Sequence, residues 1–211
     1  MVGHRVGSLV ALSALALTAC RALEYPLPHY EDAYSKIEVE APPPSAAALA
    51  GPNRAQVERG RYLAEILGCG GCHTEGAVIG APDATKLFAG SGIGIAYTNP
   101  NKDTFPGVAY PANLTPDRET GLGAWTDAAI ASAIRSGTSG AGAAHLRVMS
   151  WPLYRHLSDD DVSALVAYLR SIPPIKYRVP VAVPPGVRAT TSYVYFGVYR
   201  STPAIDGSSL H

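Results

Sequence analysis

Cys69, Gly70, Gly71, Cys72 and His73 stand in succession, two thiols three positions apart with an imidazole directly after the second. Each thiol can add to a vinyl group of a porphyrin, and the adjacent imidazole can then reach the iron from the same side. This is the chemistry of covalent c-type haem attachment. Three other readings use the same residues. A thioredoxin-like redox pair calls for a βαβ context that the flanking chain lacks, and leaves His73 without a role. Half of a zinc site needs two more ligands at suitable spacing, and there is no second cysteine pair. A plain disulfide is the third alternative.

Haem iron in such a site takes a second axial ligand from the opposite face, commonly methionine or histidine. Apart from Met1, Met149 is the only methionine. It falls between two predicted helices in Arg147-Val148-Met149-Ser150-Trp151-Pro152, a placement that favours a ligand over an ordinary core methionine. His145, four residues earlier, is the competing ligand. His156 reads as a surface or structural residue, and His29 and His211 lie in the arms.

These groups need elements to position them. Asn53 as N-cap with Gln56 three residues on, then Val57, Gly60, Leu63, Ala64 and Leu67 at helical spacing, predict a helix that stops at Gly68 and delivers the cysteine motif. Glycine, proline and asparagine dominate from 74 to 112, which predicts mostly loop. A loop of that length needs something to wrap around, and a porphyrin offers an apolar surface. Thr126 caps a second helix with Ile130, Ala133 and Ile134 inward and a stop at Gly137. Ser158 and Asp161 form a capping box for a third, stapled by Leu157 and Val162, faced by Leu165, Val166 and Leu169, and ended by Pro173 and Pro174.

Both flanks differ from this head. Residues 1–19 combine a short polar start with the apolar run Val6 to Leu17, a signal peptide pattern too short for a transmembrane span. Leu17-Thr18-Ala19-Cys20 resembles the lipobox of bacterial lipoproteins, in which the cysteine is acylated and becomes the new N-terminus. Residues 20–53 are rich in proline and alanine and read as a linker, with a net charge of −3 over 21–53. Residues 175–211 are proline-rich and then strand-like from Thr190 to Arg200, with a net charge of +3. Their aromatic residues favour packing back on the head, because exposure of that many would be costly; a docking surface for another protein is the alternative.

Composition narrows the function. At 47% hydrophobic and 16% charged, the 211 residues do not read as a disordered chain. Seventeen basic and seventeen acidic residues balance, so the basic face expected of a nucleic-acid binder is missing.

Residues 54–174 resemble the class I cytochromes c found as haem subunits of bacterial membrane-bound dehydrogenases for alcohols, aldehydes and gluconate. The stretches that carry the resemblance are Arg59-Gly60-Arg61-Tyr62-Leu63-Ala64, Cys69 to Thr74, Asn113-Leu114-Thr115-Pro116-Asp117 into Thr120-Gly121-Leu122-Gly123-Ala124-Trp125, Met149-Ser150-Trp151-Pro152, and Leu157 to Asp161 through Ala167 to Ser171. Ser150 stands where that family usually has proline, and the chain has one haem motif where family members often have three. The resemblance implies an all-α fold of about three main helices around one covalent haem c, with the first and last helices crossing at Gly60 near Tyr168. It also implies haem or propionate contacts for Asn113, Trp125 and Arg135, against plainer roles as a turn residue, a core aromatic and a helix-end cation.

The expectation is a non-enzymatic, lipid-anchored monohaem electron carrier on the outer, periplasmic face of a bacterial membrane. Cys69 and Cys72 attach the haem, His73 and Met149 ligate its iron, and Cys20 carries the lipid. The donor would be a dehydrogenase or quinol-oxidising complex, the acceptor another cytochrome or a terminal oxidase. Two alternatives are a fixed subunit of a larger complex docked through the C-terminal extension, and a haem-based sensor whose distal ligand leaves.

Overall fold

The computed structural model describes residues 39–138 and 148–197. Its helices are α1 (Ala46–Ala50), α2 (Arg54–Ile66), α3 (Cys69–His73), α4 (Asp127–Ser136), α5 (Trp151–Tyr154) and α6 (Asp159–Ser171). Its strands are β1 (Gly94–Ala96), β2 (Val108–Ala109) and β3 (Tyr193–Tyr195). Among the described residues no helix is long and apolar enough to cross a membrane.

The frame is the crossing of α2 and α6. Val57, Leu63 and Ala64 are buried on α2, and Val162, Leu165, Val166 and Leu169 on α6, each large aliphatic side chain contributing about 1.5–3 kcal/mol over exposure. Gly60 sits at the contact. A Cβ there would lie 2.6 Å from Tyr168 Cβ and collide with the carbonyl of Ala164, so only the bare α-carbon allows the two backbones this close.

Caps are formed with some change of partner. Ser158 Oγ accepts from Asp161 N–H at 3.1 Å, but the Asp161 carboxylate does not complete a capping box; it pairs with Arg59 of α2 at 2.9 Å. Asn53 precedes α2 as expected yet makes no side-chain cap hydrogen bond. Thr126 Oγ1 caps α4 through Ala129 N–H at 3.1 Å, and Gly137 ends it in the left-handed conformation, φ 66°.

The expected linker does not extend to 53. Ala41 and Pro42 are buried, and the Pro42 carbonyl accepts the hydroxyl of the fully buried Tyr168 at 2.7 Å. Ser45 N–H donates to Ser171 O at 2.8 Å, and the Ser45 hydroxyl caps α1. A buried phenol needs an acceptor, and the proline-rich segment supplies it; residues from 39 onward therefore pack with the head.

The long loop after α3 is held by local pairing. Phe88 adopts φ 59°, a left-handed backbone that costs a non-glycine residue about 1–3 kcal/mol and persists where its surroundings over-determine it. Its N–H donates to Thr74 Oγ1 at 3.1 Å, its carbonyl accepts from Leu114 N–H at 2.8 Å, and its ring meets Tyr168 edge-on at 6.2 Å. Further on, β1 and β2 pair antiparallel, Ile95 opposite Ala109.

The C-terminal segment closes over that hairpin. β3 joins β1 in parallel, Ile95 opposite Val194, and Val183 bridges Val108 on the other edge. Tyr177 donates its hydroxyl to Glu75 at 2.8 Å, and Lys86 stands 4.8 Å over the Tyr177 ring. The fold is thus the helical cytochrome arrangement expected, with the addition of a small sheet. The segment 175–197 packs back on the head.

Candidate functional site

α2 ends at Ile66, and Gly68, with φ 68°, turns the chain directly into α3. That one short helical turn presents Cys69, Cys72 and His73 to a common cavity of about 250 Å³. Native cores leave few voids larger than a water molecule, so a space of this size next to three reactive side chains is built to hold a group. Gly70 faces the other way, where a Cβ would press on Val39 and Phe88.

The walls come from every main element. Ala64 of α2 and Leu67 just after it, Leu165 and Leu169 of α6, and Ile130, Ala133 and Ile134 of α4 supply aliphatic surface. Leu114, Leu122 and Trp125 close one side, and Ile95 and Ala109 of the hairpin another. Met149, with Val148 and Ser150, lines the same cavity.

The electrostatics of the donors follow from burial. Removal from water is the main cause that raises the Cys69 thiol to about 12, and it raises Cys72 as well; both stay protonated and unpaired in a disulfide. Burial lowers the pKa of His73, so the ring is held neutral, with its bond to Ala112 acting the opposite way. That bond runs from Nδ1 to the Ala112 carbonyl at 2.7 Å. It selects the tautomer in which Nε2 carries the free lone pair, the arrangement a metal-ligating imidazole requires.

The donor set fits a haem. Two thiols and a neutral imidazole share one turn, a thioether sulfur is available in the same cavity, and the lining is mostly aliphatic. Among the described residues no cluster of three or more histidine, cysteine or acidic side chains is placed to hold a bare metal ion.

Of the residues expected at the site, Cys69, Cys72, His73, Met149 and Trp125 line one cavity. Asn113 and Arg135 are not among the residues that line it. Asn113 is 2% exposed and its amide is engaged by Thr115, Thr120, Ile175 and Tyr177. Arg135 reaches from the end of α4 to the start of α6, donating to the Leu157 carbonyl at 3.2 Å and pairing with Asp159. His156 is exposed, as expected. Cys20, His29, His145 and His211 lie outside the described residues.

Two contributors were missed. Tyr154, on the single turn α5, lines the cavity and donates its hydroxyl to Leu67 O at 3.1 Å; burial, more than the neighbouring Cys69, pushes its pKa up to about 12. Ser150, directly before that turn, and Pro152, early in it, are local signals for α5. Arg170 of α6 donates to the carbonyls of Leu122 (2.8 Å) and Trp125 and pairs with Asp127 at 2.9 Å. It thereby fixes two residues of the cavity wall, through backbone acceptors that leave no trace in sequence.

An apolar cavity bounded by crossing helices, with paired thiols and an imidazole on one turn, defines a c-type haem protein. Residues 57–173 match the family model described as cytochrome c; the chain belongs to the cytochrome c family, whose members bind haem covalently and transfer electrons. It is 38% identical over 126 residues to a nicotinate dehydrogenase subunit of Pseudomonas putida, a match spanning 60% of this chain and 9% of that protein. It is 34% identical over 123 residues to the cytochrome c subunit of the quinone-dependent alcohol dehydrogenase of Gluconobacter oxydans, spanning 58% of this chain and 23% of the relative. With the fructose dehydrogenase cytochrome subunit of Gluconobacter japonicus it shares 29% identity over 168 residues, 78% of this chain and 31% of the relative. The match therefore spans less than a third of the length of each of these relatives.

Proposed function

We infer that this protein is a monohaem c-type cytochrome that carries single electrons at the outer face of a bacterial membrane. The observation that carries the reading is the convergence of Cys69, Cys72, His73 and Met149 on one apolar cavity. When bound, the haem supplies a one-electron couple. Cys69 and Cys72 would hold it as thioethers, and His73 through Nε2 and Met149 through its sulfur would ligate the iron, a pair that raises the reduction potential relative to two histidines. Leu165, Leu169, Ile130 and Ile134 exclude water, so the site exchanges an electron without taking up a proton or a substrate. Cys20 anchors the chain by its lipid. The donor is a dehydrogenase or a quinol-oxidising complex, and the acceptor is another cytochrome or a terminal oxidase.

Optical spectra of the purified full-length protein test this. Reduction should give a c-type band, and the oxidised form a weak methionine-to-iron absorption. Correctly matured protein without covalent haem would overturn the reading.

A second reading, a fixed electron-transfer subunit of a larger dehydrogenase, draws on two observations. The named relatives are subunits of dehydrogenases, and Tyr193, Tyr195 and Phe196 remain 38–47% exposed on the packed C-terminal segment. Replacing all three by serine tests it: co-purification of the parent with a dehydrogenase that is lost on replacement, with an unchanged haem spectrum, supports the subunit, and a parent that co-purifies with no dehydrogenase supports the free carrier.

A further inference from the structure

The carbonyl that accepts His73 Nδ1–H belongs to the peptide unit joining Ala112 to Asn113. Asn113 is 2% exposed and both ends of its amide are engaged. Nδ2 faces only acceptors: Thr120 Oγ1 at 3.1 Å, Ile175 O at 2.7 Å and Tyr177 O at 3.3 Å. Oδ1 accepts from the Thr115 N–H at 2.9 Å and the Thr115 hydroxyl at 2.7 Å. No rotation about the Cα side of this amide is possible without stranding a buried polar atom.

The neighbouring chain is lashed on the other side. Ser91 N–H donates to Pro111 O at 3.0 Å, Leu114 N–H to Phe88 O at 2.8 Å, and Gly90 N–H to the carbonyl of His73 itself at 2.8 Å. Ile175 N–H and Tyr177 N–H return bonds of 3.0 Å to Thr115 Oγ1 and Thr120 Oγ1. Residues 175–177 and Asn113 thus clamp one peptide unit, and that unit carries the acceptor for the imidazole.

An outer acceptor of this kind sets both the orientation and the donor strength of a ligating imidazole, because a stronger Nδ1–H···O bond makes Nε2 more basic. We propose that Asn113, anchored to the C-terminal segment at Ile175 and Tyr177, is a positioning residue that holds the Ala112 carbonyl on His73 and so tunes the haem without touching it. The proposal rests on the reading of His73 as the axial ligand. It gives the C-terminal segment a role at the site, though none of that segment's described residues lines the cavity.

A more basic imidazole favours the ferric form, so a weaker bond to Ala112 raises the reduction potential. The test uses the full-length haem protein with Asn113→Ala and the nearly isosteric Thr115→Val. Tyr168→Phe, which removes a buried hydroxyl bond in the helical half, serves as the matched destabilised control. Redox titration should show the ferrous-to-ferric ratio at a fixed ambient potential rising about threefold in both variants, roughly 30 mV for one electron. Exchange of the His73 Nδ1 proton in the reduced protein, read by NMR, should quicken about tenfold. Tyr168→Phe should lower the melting temperature and move neither readout. Lowered melting temperatures with unmoved potential and exchange would overturn the proposal, and Thr115→Val decides alone if Asn113→Ala does not accumulate. Failure of the underlying reading is seen separately, as His73→Ala retaining the parent spectrum.

Discussion

Gly60 rests its bare α-carbon against Tyr168, so close that a Cβ at Gly60 would stand 2.6 Å from that of Tyr168. The contact lies where α2 crosses α6, before α2 delivers the haem-binding turn. The obstacles include the backbone carbonyl of Ala164, which cannot swing aside as a side chain would.

Gly60→Leu should therefore destabilise the protein at the upper end of the overpacking range, about 3 kcal/mol or more. Denaturant unfolding of the haem-loaded protein measures it, and a midpoint equal to the parent's would mean the helices separate more cheaply than their geometry implies.

Cys69 and Cys72 face one cavity and each should form a thioether. Cys69→Ala leaves one bond, and Cys69→Ala with Cys72→Ala none. Haem that stays with the polypeptide on denaturing electrophoresis should fall in the single variant and vanish in the double; retention in the double would refute covalent attachment through this pair.

Met149→Ala should remove the distal ligand. The reduced variant should bind carbon monoxide rapidly at neutral pH, whereas the parent should not. Rapid binding by the parent would instead point to the sensor reading, with a distal position that opens.

Tyr154→Phe removes the hydroxyl that ties α5 to the carbonyl of Leu67, one residue after α2 ends. The expected loss is about 1 kcal/mol, the usual net worth of such a bond, together with a weakened methionine-to-iron absorption, because α5 begins two residues after Met149. Intact absorption and unchanged stability would show that the bond does not position the distal segment.

Stability should also decline in alkali. Burial raises the pKa of Tyr168 above the ordinary tyrosine value, which is about 10. The folded state keeps a proton that the unfolded state releases, so this contribution is fully present below about pH 10 and is lost as pH rises toward the folded value. Denaturant midpoints at pH 8, 10 and 11 should fall more steeply in the parent than in Tyr168→Phe. Equal slopes would assign the alkaline loss to other groups.

Local signals were sufficient for much of this protein. The haem chemistry is written in five consecutive residues. α2, α4 and α6 follow from apolar spacing and from Thr126, Ser158, Gly137 and the Pro173-Pro174 stop, because helix formation and capping depend on neighbours three and four positions away. Met149 could be singled out by count alone.

What depended on distant partners was not legible. Residues 39–50 have a linker's composition, yet Tyr168 draws Pro42 into the core, a pairing across 126 positions. β1 and β2 are too short to signal themselves and are framed by Val183 and β3 from the far end of the chain. The carboxylate of Asp161 pairs with Arg59, 102 positions away, a partner that its spacing within the helix did not suggest. Asn113 was recognisable as important but not for its role, since a buried amide takes the hydrogen-bond partners that folding brings to it. The sequence by itself determined which atoms can bind the haem; only the tertiary structure decided which carbonyl holds the imidazole and which remote segment holds that carbonyl, because hydrogen-bond acceptors on the backbone are the same in every residue.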